Sequence, residues 1–384
     1  MINPLSNVLL QTGAQLTPDF SLSVNAQDIT TNVRQRLISL TLTDNRGFEA
    51  DQLNIELDDA DGQLMMPALG EELQLSLGWQ GFALTDKGRF TVDSIQHHGA
   101  PDALTLTARS ANFLGSLNQQ REVSYDNTTL GEIVAQIAAR NHLQPHLAAG
   151  FAGISVLHID QTHESDAGFM TRLATLYGAV AAVKAGKLLF IRPGNGTSVS
   201  GKPIAPVILT RKEGDAHSFN LAGRDGYTGV TAHWLSTKAS KPQQVNLQRK
   251  TSEQAAFTVD HPAAKTPGMP AVAKPGQENY LAGSKENVFT LTTLYPTKEL
   301  AMRAAEAKWK NLQQGHASVS LKLAKGRADL FPETPVTLSG FKTVIDRQPW
   351  LITKVTHLLN AGGFITQLEC EILLENAEYE AKEK

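Results

Sequence analysis

The stretch Gly88–Arg109 reads GRFTVDSIQHHGAPDALTLTAR, and Gln348–Glu369 reads QPWLITKVTHLLNAGGFITQLE. In the first, two runs alternate apolar and polar residues, Phe90-Val92 and Leu104-Leu106-Ala108, on either side of a turn containing Gly99 and Pro101. Side chains at a period of two share one face of a strand, so this alternation predicts two half-buried strands. The second stretch repeats the pattern. Phe90 answers Trp350, Val92 answers Ile352, Ile95 answers Val355 and Leu104 answers Phe364, each pair 260 residues apart. The echo predicts one hairpin-built β-domain near each end of the chain.

Outward from the first hairpin, the same alternation marks Phe20-Leu22-Val24, Arg36–Thr43 with Leu40 and Leu42 on one face, Ala50–Asp59 with Leu53, Ile55 and Leu57 inward, and Glu72–Trp79. A turn is expected at Asp44-Asn45-Arg46-Gly47, residue types that cap their own turn or tolerate left-handed backbone. About six strands at this spacing read as an antiparallel sandwich or barrel.

The middle of the chain changes character. Thr129-Leu130-Gly131-Glu132 has the form of a capping box, in which hydroxyl and carboxylate satisfy reciprocal backbone donors. Leu130, Ile133, Val134, Ile137 and Ala138 follow at helical spacing as far as about His142. A second helix is expected from Ser165-Asp166 through Phe169, Met170, Leu173 and Leu176 to Gly178, then a hairpin around Ala185-Gly186-Lys187. Strand patterns resume at Val207–Thr210 and Gly229–Leu235. Lys238–Gln277 holds Pro242, Pro262, Pro267, Pro270 and Pro275 with little periodicity, which predicts an extended arm. Lys298–Gln314 reads as a helix ending at Gly315. Ala317–Ala324, Pro335–Leu338 and the second hairpin close the sequence, with a charged tail expected to fray. The predicted division is a first β-module at 1–115, a small α+β domain at 116–204, a second β-module from 205–240 and 316–375, an inserted arm and helix at 241–315, and a tail at 376–384.

The chain has 384 residues, 41% hydrophobic and 19% charged, an ordinary globular composition. A net charge of -3 and a pI near 6.4 argue against a generally basic nucleic-acid or membrane-surface protein. Cys370 is the one cysteine, so no internal disulfide forms; its alternation with Leu368 and Ile372 makes it a small core residue. The first residues lack a basic n-region, and no stretch approaches the ~18 apolar residues needed to span a bilayer. The expectation is a protein made in a cytosol and not exported by the general route.

A search for chemistry returns little. His97 and His98 are strand neighbours pointing to opposite faces. His142 and His146 have i, i+4 spacing, but Pro145 breaks the helix that would align them. His158 and His163 flank Asp160 more loosely still. Asp58-Asp59-Ala60-Asp61-Gly62 lacks the full register and distal glutamate of a calcium loop, so it reads as a solvated turn. Gly223-Arg224-Asp225-Gly226 reads as a turn. No G-x-S-x-G elbow, phosphate loop or dinucleotide fingerprint occurs. A glycosidase needs only two carboxylates, which 38 acidic residues leave open. Trp79, Trp234, Trp309 and Trp350 are isolated and read as core or interface anchors. Arg303, Lys308 and Lys310 alternate with Glu299 and Glu306, the pattern of a solvated helix face. The reading therefore assigns no catalytic, cofactor-binding or metal-binding residue and predicts no enzyme.

Certain residues carry a family resemblance. LISLTLTDNRGFEADQLNIELDDADG (Leu37–Gly62), then Gly70, Leu73–Gly78 and GRFTVDSI, resembles the opening domain of the phage late-control D protein family. ESDAGFMTRLATLYGA (Glu164–Ala179), an acid–Phe–Arg-Leu–Tyr-Gly pattern, resembles it too. The likeness spans nearly the whole chain and is weakest at Lys238–Gln277. It implies a mainly β fold with α+β insertions: two tail-tube-like antiparallel β-barrels plus a small α+β middle domain. It also implies a baseplate hub of a contractile phage tail, similar to the hub portion of type VI secretion spike proteins. Such hubs form homotrimers that join a hexameric tail tube to a trimeric spike among other baseplate proteins, in the virion tail after assembly in the host cytoplasm. No cofactor is implied, nor specific nucleic-acid binding, since no basic recognition helix is visible, nor membrane insertion. The alternative is a tail-associated peptidoglycan-degrading enzyme on a similar scaffold. The internal echo fits the hub: two like modules in each of three chains turn a three-fold ring into a pseudo-six-fold one.

Overall fold

The computed structural model describes residues 16–110, 116–184, 186–194, 204–221, 227–235, 242–249, 287–374 and 379–383. The Gly223–Gly226 turn, most of the Pro-rich arm and the first fifteen residues lie outside them. The first part of the chain comprises β1 (Pro18–Val24), β2 (Gln27–Asp28), α1 (Thr30–Arg36), β3 (Leu37–Asn45), β4 (Gln52–Asp58), β5 (Glu72–Trp79), β6 (Thr85–His98) and β7 (Ala103–Arg109). Their alternation buries Leu40, Leu42, Leu53, Ile55, Leu73, Leu75, Phe90 and Val92 almost completely, each such side chain contributing about 1.5–3 kcal/mol relative to exposure. The predicted turn at Asp44-Asn45 starts two residues later, because both residues extend β3.

The middle comprises β8 (Gln120–Thr129), α2 (Leu130–Arg140), β9 (Gln144–Leu147), β10 (Ser155–Ser165), α3 (Asp166–Tyr177), β11 (Val180–Lys184) and β12 (Lys187–Ile191). The capping box at Thr129 and Glu132 is present in both directions. α3 stops where Gly178 adopts φ 62°, ψ 35°, left-handed backbone that glycine enters without a Cβ penalty. The α3 sequence that carries the family resemblance is structural. Asp166 is fully buried and accepts from Arg140 Nη2 and Nε at 2.7 and 2.9 Å, Asn141 Nδ2 at 2.7 Å and Gln161 Nε2 at 2.9 Å. Phe169, Leu173 and Tyr177 line the domain core.

The remainder comprises β13 (Val207–Thr210), β14 (Gly214–Leu221), β15 (Gly229–Trp234), β16 (Gln243–Arg249), β17 (Val288–Tyr295), α4 (Lys298–Gln314), β18 (Ala317–Leu323), β19 (Pro335–Ser339), α5 (Thr343–Asp346), β20 (Pro349–Asn360), β21 (Gly363–Ile372) and β22 (Tyr379–Glu383). Three expectations change here. The 229–235 strand does not join the second module; β15 lies in a separate four-stranded sheet ordered β17-β15-β16-β22. The segment taken as arm and fraying tail thus supplies strands, because β16 pairs β15 on one side and β22 on the other. The charged face of α4 is only partly solvated: Glu299 is exposed, but Arg303 lies half-buried over the Tyr177 ring at 5.3 Å and Lys308 over the Phe289 ring at 4.4 Å, while Ala301, Ala305 and Trp309 pack on this sheet.

The two ends of the chain share a strand order. The first module runs β3-β4-β7-β6-β5-β1 and the second β14-β18-β21-β20-β19-β13, in each case the second, third, sixth, fifth, fourth and first strand of its set. The irregularities coincide as well. β6 bulges between Val92 and Ser94 against β7, and β20 between Ile352 and Lys354 against β21. β3 shifts register between Leu37 and Ser39, and β14 between Gly214 and Ala216. Bulges are specific features of a sheet, so their coincidence is stronger than matching apolar residues. The 260-residue offset holds for the first strand of the hairpin only. Leu106 pairs with Ile95 and Leu368 with Val355, so the returning strand is offset by 262 and Leu104 answers Thr366, not Phe364. The turns differ: His98 pairs with Ala103, whereas Asn360 pairs with Gly363. The first strands also differ, β1 being antiparallel to β5 and β13 parallel to β19.

Candidate functional site at the seam between the two sheets

The two modules are joined edge to edge. β20 leaves β19 after Leu351 and pairs antiparallel with β3, from Lys354↔Asn45 to Asn360↔Ser39. The tip of the β20–β21 hairpin enters the first module, where Leu359 and Phe364 belong to its core. The Phe364 ring centroid lies 5.4 Å from that of Trp79. The loop between β18 and β19 crosses the same place: Trp79 Nε1 donates to Gly326 O at 3.0 Å and Lys87 Nζ to Leu330 O at 3.1 Å. A Cβ on Gly326 would lie 2.3 Å from a Phe364 ring atom, so the close crossing requires glycine.

His357 is fully buried in this seam. Its Nδ1 is 2.9 Å from Thr366 Oγ1, which also accepts from Arg327 N. The threonine hydroxyl is thus free to donate to Nδ1, the arrangement for a neutral ring. Burial and then the Lys87 cation hold the ring well below the usual histidine range. Burial likewise pushes the Lys87 amine down to about 8.

Beside the seam, two charged clusters tie the parts together. Arg46 bridges Glu333 and Glu371; burial opposes its charge, but the two carboxylates outweigh burial and raise its pKa. Burial also pushes Glu333 up. Lys184 of the middle domain reaches Asp44 at 2.7 Å and Asp51 at 2.5 and 2.6 Å. Burial and then Asp44 lift Asp51 to about 6 despite the lysine. Buried ion pairs add little net stability, yet breaking one strands a charge, so these clusters fix how the pieces fit.

The residues examined for chemistry from sequence are not brought together. His97 faces Asp59 at 3.4 Å and His98 faces Glu56 at 4.0 Å. His142 follows α2 in left-handed backbone, while His146 lies on β9. His158 is held between Asp126 and Asp160, which raise its pKa, and His163 faces Glu122. Asp61 forks onto Arg36 at 2.6 and 2.7 Å. Among the described residues no group of three or more His, Cys, Asp and Glu is placed to hold a metal ion, and no described helix is long and apolar enough to cross a membrane. An open cleft is lined by Asn45, Glu49, Gln52, Arg109 and Asn118, with one carboxylate where glycoside hydrolysis uses two. Sequence reasoning missed the seam, since Arg46 and Glu371 are distant in sequence with no local pattern linking them. The repeated hairpin was the available signal.

The model of the phage tail baseplate hub (GPD) family matches residues 45–363. The chain belongs to this family. It is 54% identical over 384 residues to the probable baseplate hub protein of Escherichia phage 186, covering 98% of this chain and 99% of that one. It is 53% identical to the corresponding protein of Escherichia phage P2, covering 99% of each. The resemblance read from Leu37–Gly62 and Glu164–Ala179 holds. In fold the chain is similar to the 43 kDa tail protein of prophage MuSo2 from Shewanella oneidensis, with a TM-score of 0.62, 12% identity, and coverage of 92% and 98% of the two chains. It is also similar to a tail protein from Neisseria meningitidis MC58, with a TM-score of 0.61, 14% identity, and coverage of 92% and 96%. The hub family's architecture here is mainly β in several sheets.

Proposed function

We propose that this hub-family chain acts as a structural trimer in the tail baseplate, each copy contributing two tail-tube-like β-barrels to a pseudo-six-fold ring. One face of the ring seats a hexameric tube and the other a trimeric spike. The observation that carries the reading is the shared strand order of the two modules, with bulges at equivalent positions. A platform between six-fold and three-fold partners needs six similar faces from three chains, and a duplicated module supplies them. The role is mechanical: the charged clusters and the seam hold two modules at a fixed angle, and no bond is made or broken. Its partners are two further copies of itself, the spike, the tube and other baseplate proteins, met in the host cytoplasm as the virion tail assembles. Native mass of the purified protein, alone and mixed with the spike, tests this. A three-chain species is expected in at least one condition; single chains in both would contradict the ring. Incubation with peptidoglycan is expected to release no fragments, and reproducible cleavage would favour the enzyme reading instead.

A further inference from the structure

The seam inside the chain has a counterpart with no partner among the described residues. Before β20 leaves for β3, Ile352 accepts from Glu333 N at 2.8 Å and donates to Thr334 O at 3.1 Å. At the equivalent point of β6, Val92 accepts from Gly70 N and donates to Glu71 O, both at 2.9 Å. Past that point β20 is paired on both edges, whereas β6 from Ser94 to His98 is paired only with β7 among the described residues. β14, the counterpart of β3, ends the sheet, paired among the described residues only with β18.

Exposure follows the same division. Val355, His357 and Leu42 are buried in the internal seam. Their counterparts Ile95, His97 and Phe219 are half-buried or exposed, and Leu221 is 46% exposed. The β18–β19 loop buries Ala328 in the core of the first module and offers the Leu330 carbonyl to Lys87 of that module. The equivalent β4–β5 loop holds up Met65, Met66 and Leu69 at 91%, 58% and 66% exposure. Each half of a used interface therefore recurs at the other end of the sheet, unused among the described residues. Open apolar strand edges are normally protected.

We propose that β6 of one copy pairs antiparallel with β14 of a second copy in the register of the internal seam, with the β4–β5 loop closing over that second copy. This inference rests on the ring proposed above and specifies its contact between chains. Carrying the β20–β3 register across aligns Ile95 with Leu221, Gln96 with Asn220, His97 with Phe219 and His98 with Ser218. The contact is head-to-tail, so it closes only as a ring, and chain-internal and chain-to-chain seams alternate around it.

Gln96 and Asn220 occupy the positions of Thr356 and Thr43, which are not buried in the internal seam. Directly opposed residues in an antiparallel pair lie within disulfide range, and the native Cys370 is buried. A chain carrying both Gln96→Cys and Asn220→Cys, oxidised under native conditions, is expected to yield a covalent trimer on a denaturing gel. An equal mixture of the two single variants is expected to stop at dimers, and either alone to give none. A second chain, Met65→Asp with Met66→Asp, changes exposed residues only and is expected to keep the native circular dichroism while losing the trimer. A native trimer that forms no cross-link overturns the register but leaves the ring standing, and a trimer untouched by the aspartates overturns the loop's part. Single chains with no cross-link, with or without the spike, overturn both.

Discussion

His357 shows what the seam requires of a side chain. Its ring is held neutral by burial and by the Lys87 cation, so protonation favours the unfolded chain, where histidine titrates near 6.5. The sign follows: below about pH 6.5 the unfolded state binds a proton that the folded state does not, and stability falls by up to about 1.4 kcal/mol per pH unit. Thermal melts of wild type and His357→Gln between pH 7 and pH 5 are expected to diverge, the wild type losing more. Equal slopes would show that His357 is not held neutral. Asp51 acts in the opposite sense. Raised to about 6, it stabilises the fold at low pH and loses that contribution as pH climbs through its folded pKa, which is why the comparison must be with a His357 variant. Burial pushes the Cys370 thiol up to about 12, so a thiolate-seeking reagent is expected to label it only on unfolding; labelling of the native protein would refute its place between Val319 and Ile352. Gly326→Ala places a methyl against the Phe364 ring, and overpacking of this kind costs about 1–3 kcal/mol, read as a lower urea midpoint.

At the scale of elements, α3 carries one of the two sequence patterns on which the family resemblance rests, and Asp166 at its start anchors the middle domain. Asp166→Ala leaves Arg140 without its buried carboxylate, a loss expected at about 3–5 kcal/mol. Thr129→Ala, which removes one half of a capping box, is expected to cost about 1 kcal/mol. Urea denaturation of both variants checks the ranking, and a milder effect at Asp166 than at Thr129 would contradict it. These elements were legible because their causes are local: Thr129 and Glu132 sit three residues apart, and Gly178 directly follows the helix it ends. The four-stranded sheet was not legible. β16 (QQVNLQR) offers only Val245 and Leu247 to the core, too short an alternation to stand out from its polar flanks, and its second partner, β22, is distant in sequence. α4 misled for a related reason: Arg303 and Lys308 look solvent-facing by charge, yet each lays its long side chain over an aromatic ring from another element.

For the whole molecule, the duplication was visible as an echo between Phe90-Val92-Ile95 and Trp350-Ile352-Val355, where apolar spacing and strand register coincide. Its extent reads from the sequence as 205–240 with 316–375 around an insertion, and what differs is β15, which lies in the four-stranded sheet instead. The offset also changes from strand to strand as loops lengthen or shorten. Only the bulges at equivalent positions make the correspondence residue by residue. The same interruption explains why the seam escaped notice, since it brings Arg46 to Glu333 and Glu371 across most of the chain. The two modules, so joined, leave matching edges unpaired among the described residues at either end of the sheet, and the proposed ring takes its direction from them.

Electron cryo-microscopy of the assembled particle, viewed down its axis, tests this account most directly. The expected image is a closed ring of three chains with six nearly equal lobes, three-fold when averaged strictly and close to six-fold by eye. A ring of any other copy number, or three chains meeting through the middle domains with their sheet edges turned apart, would contradict it.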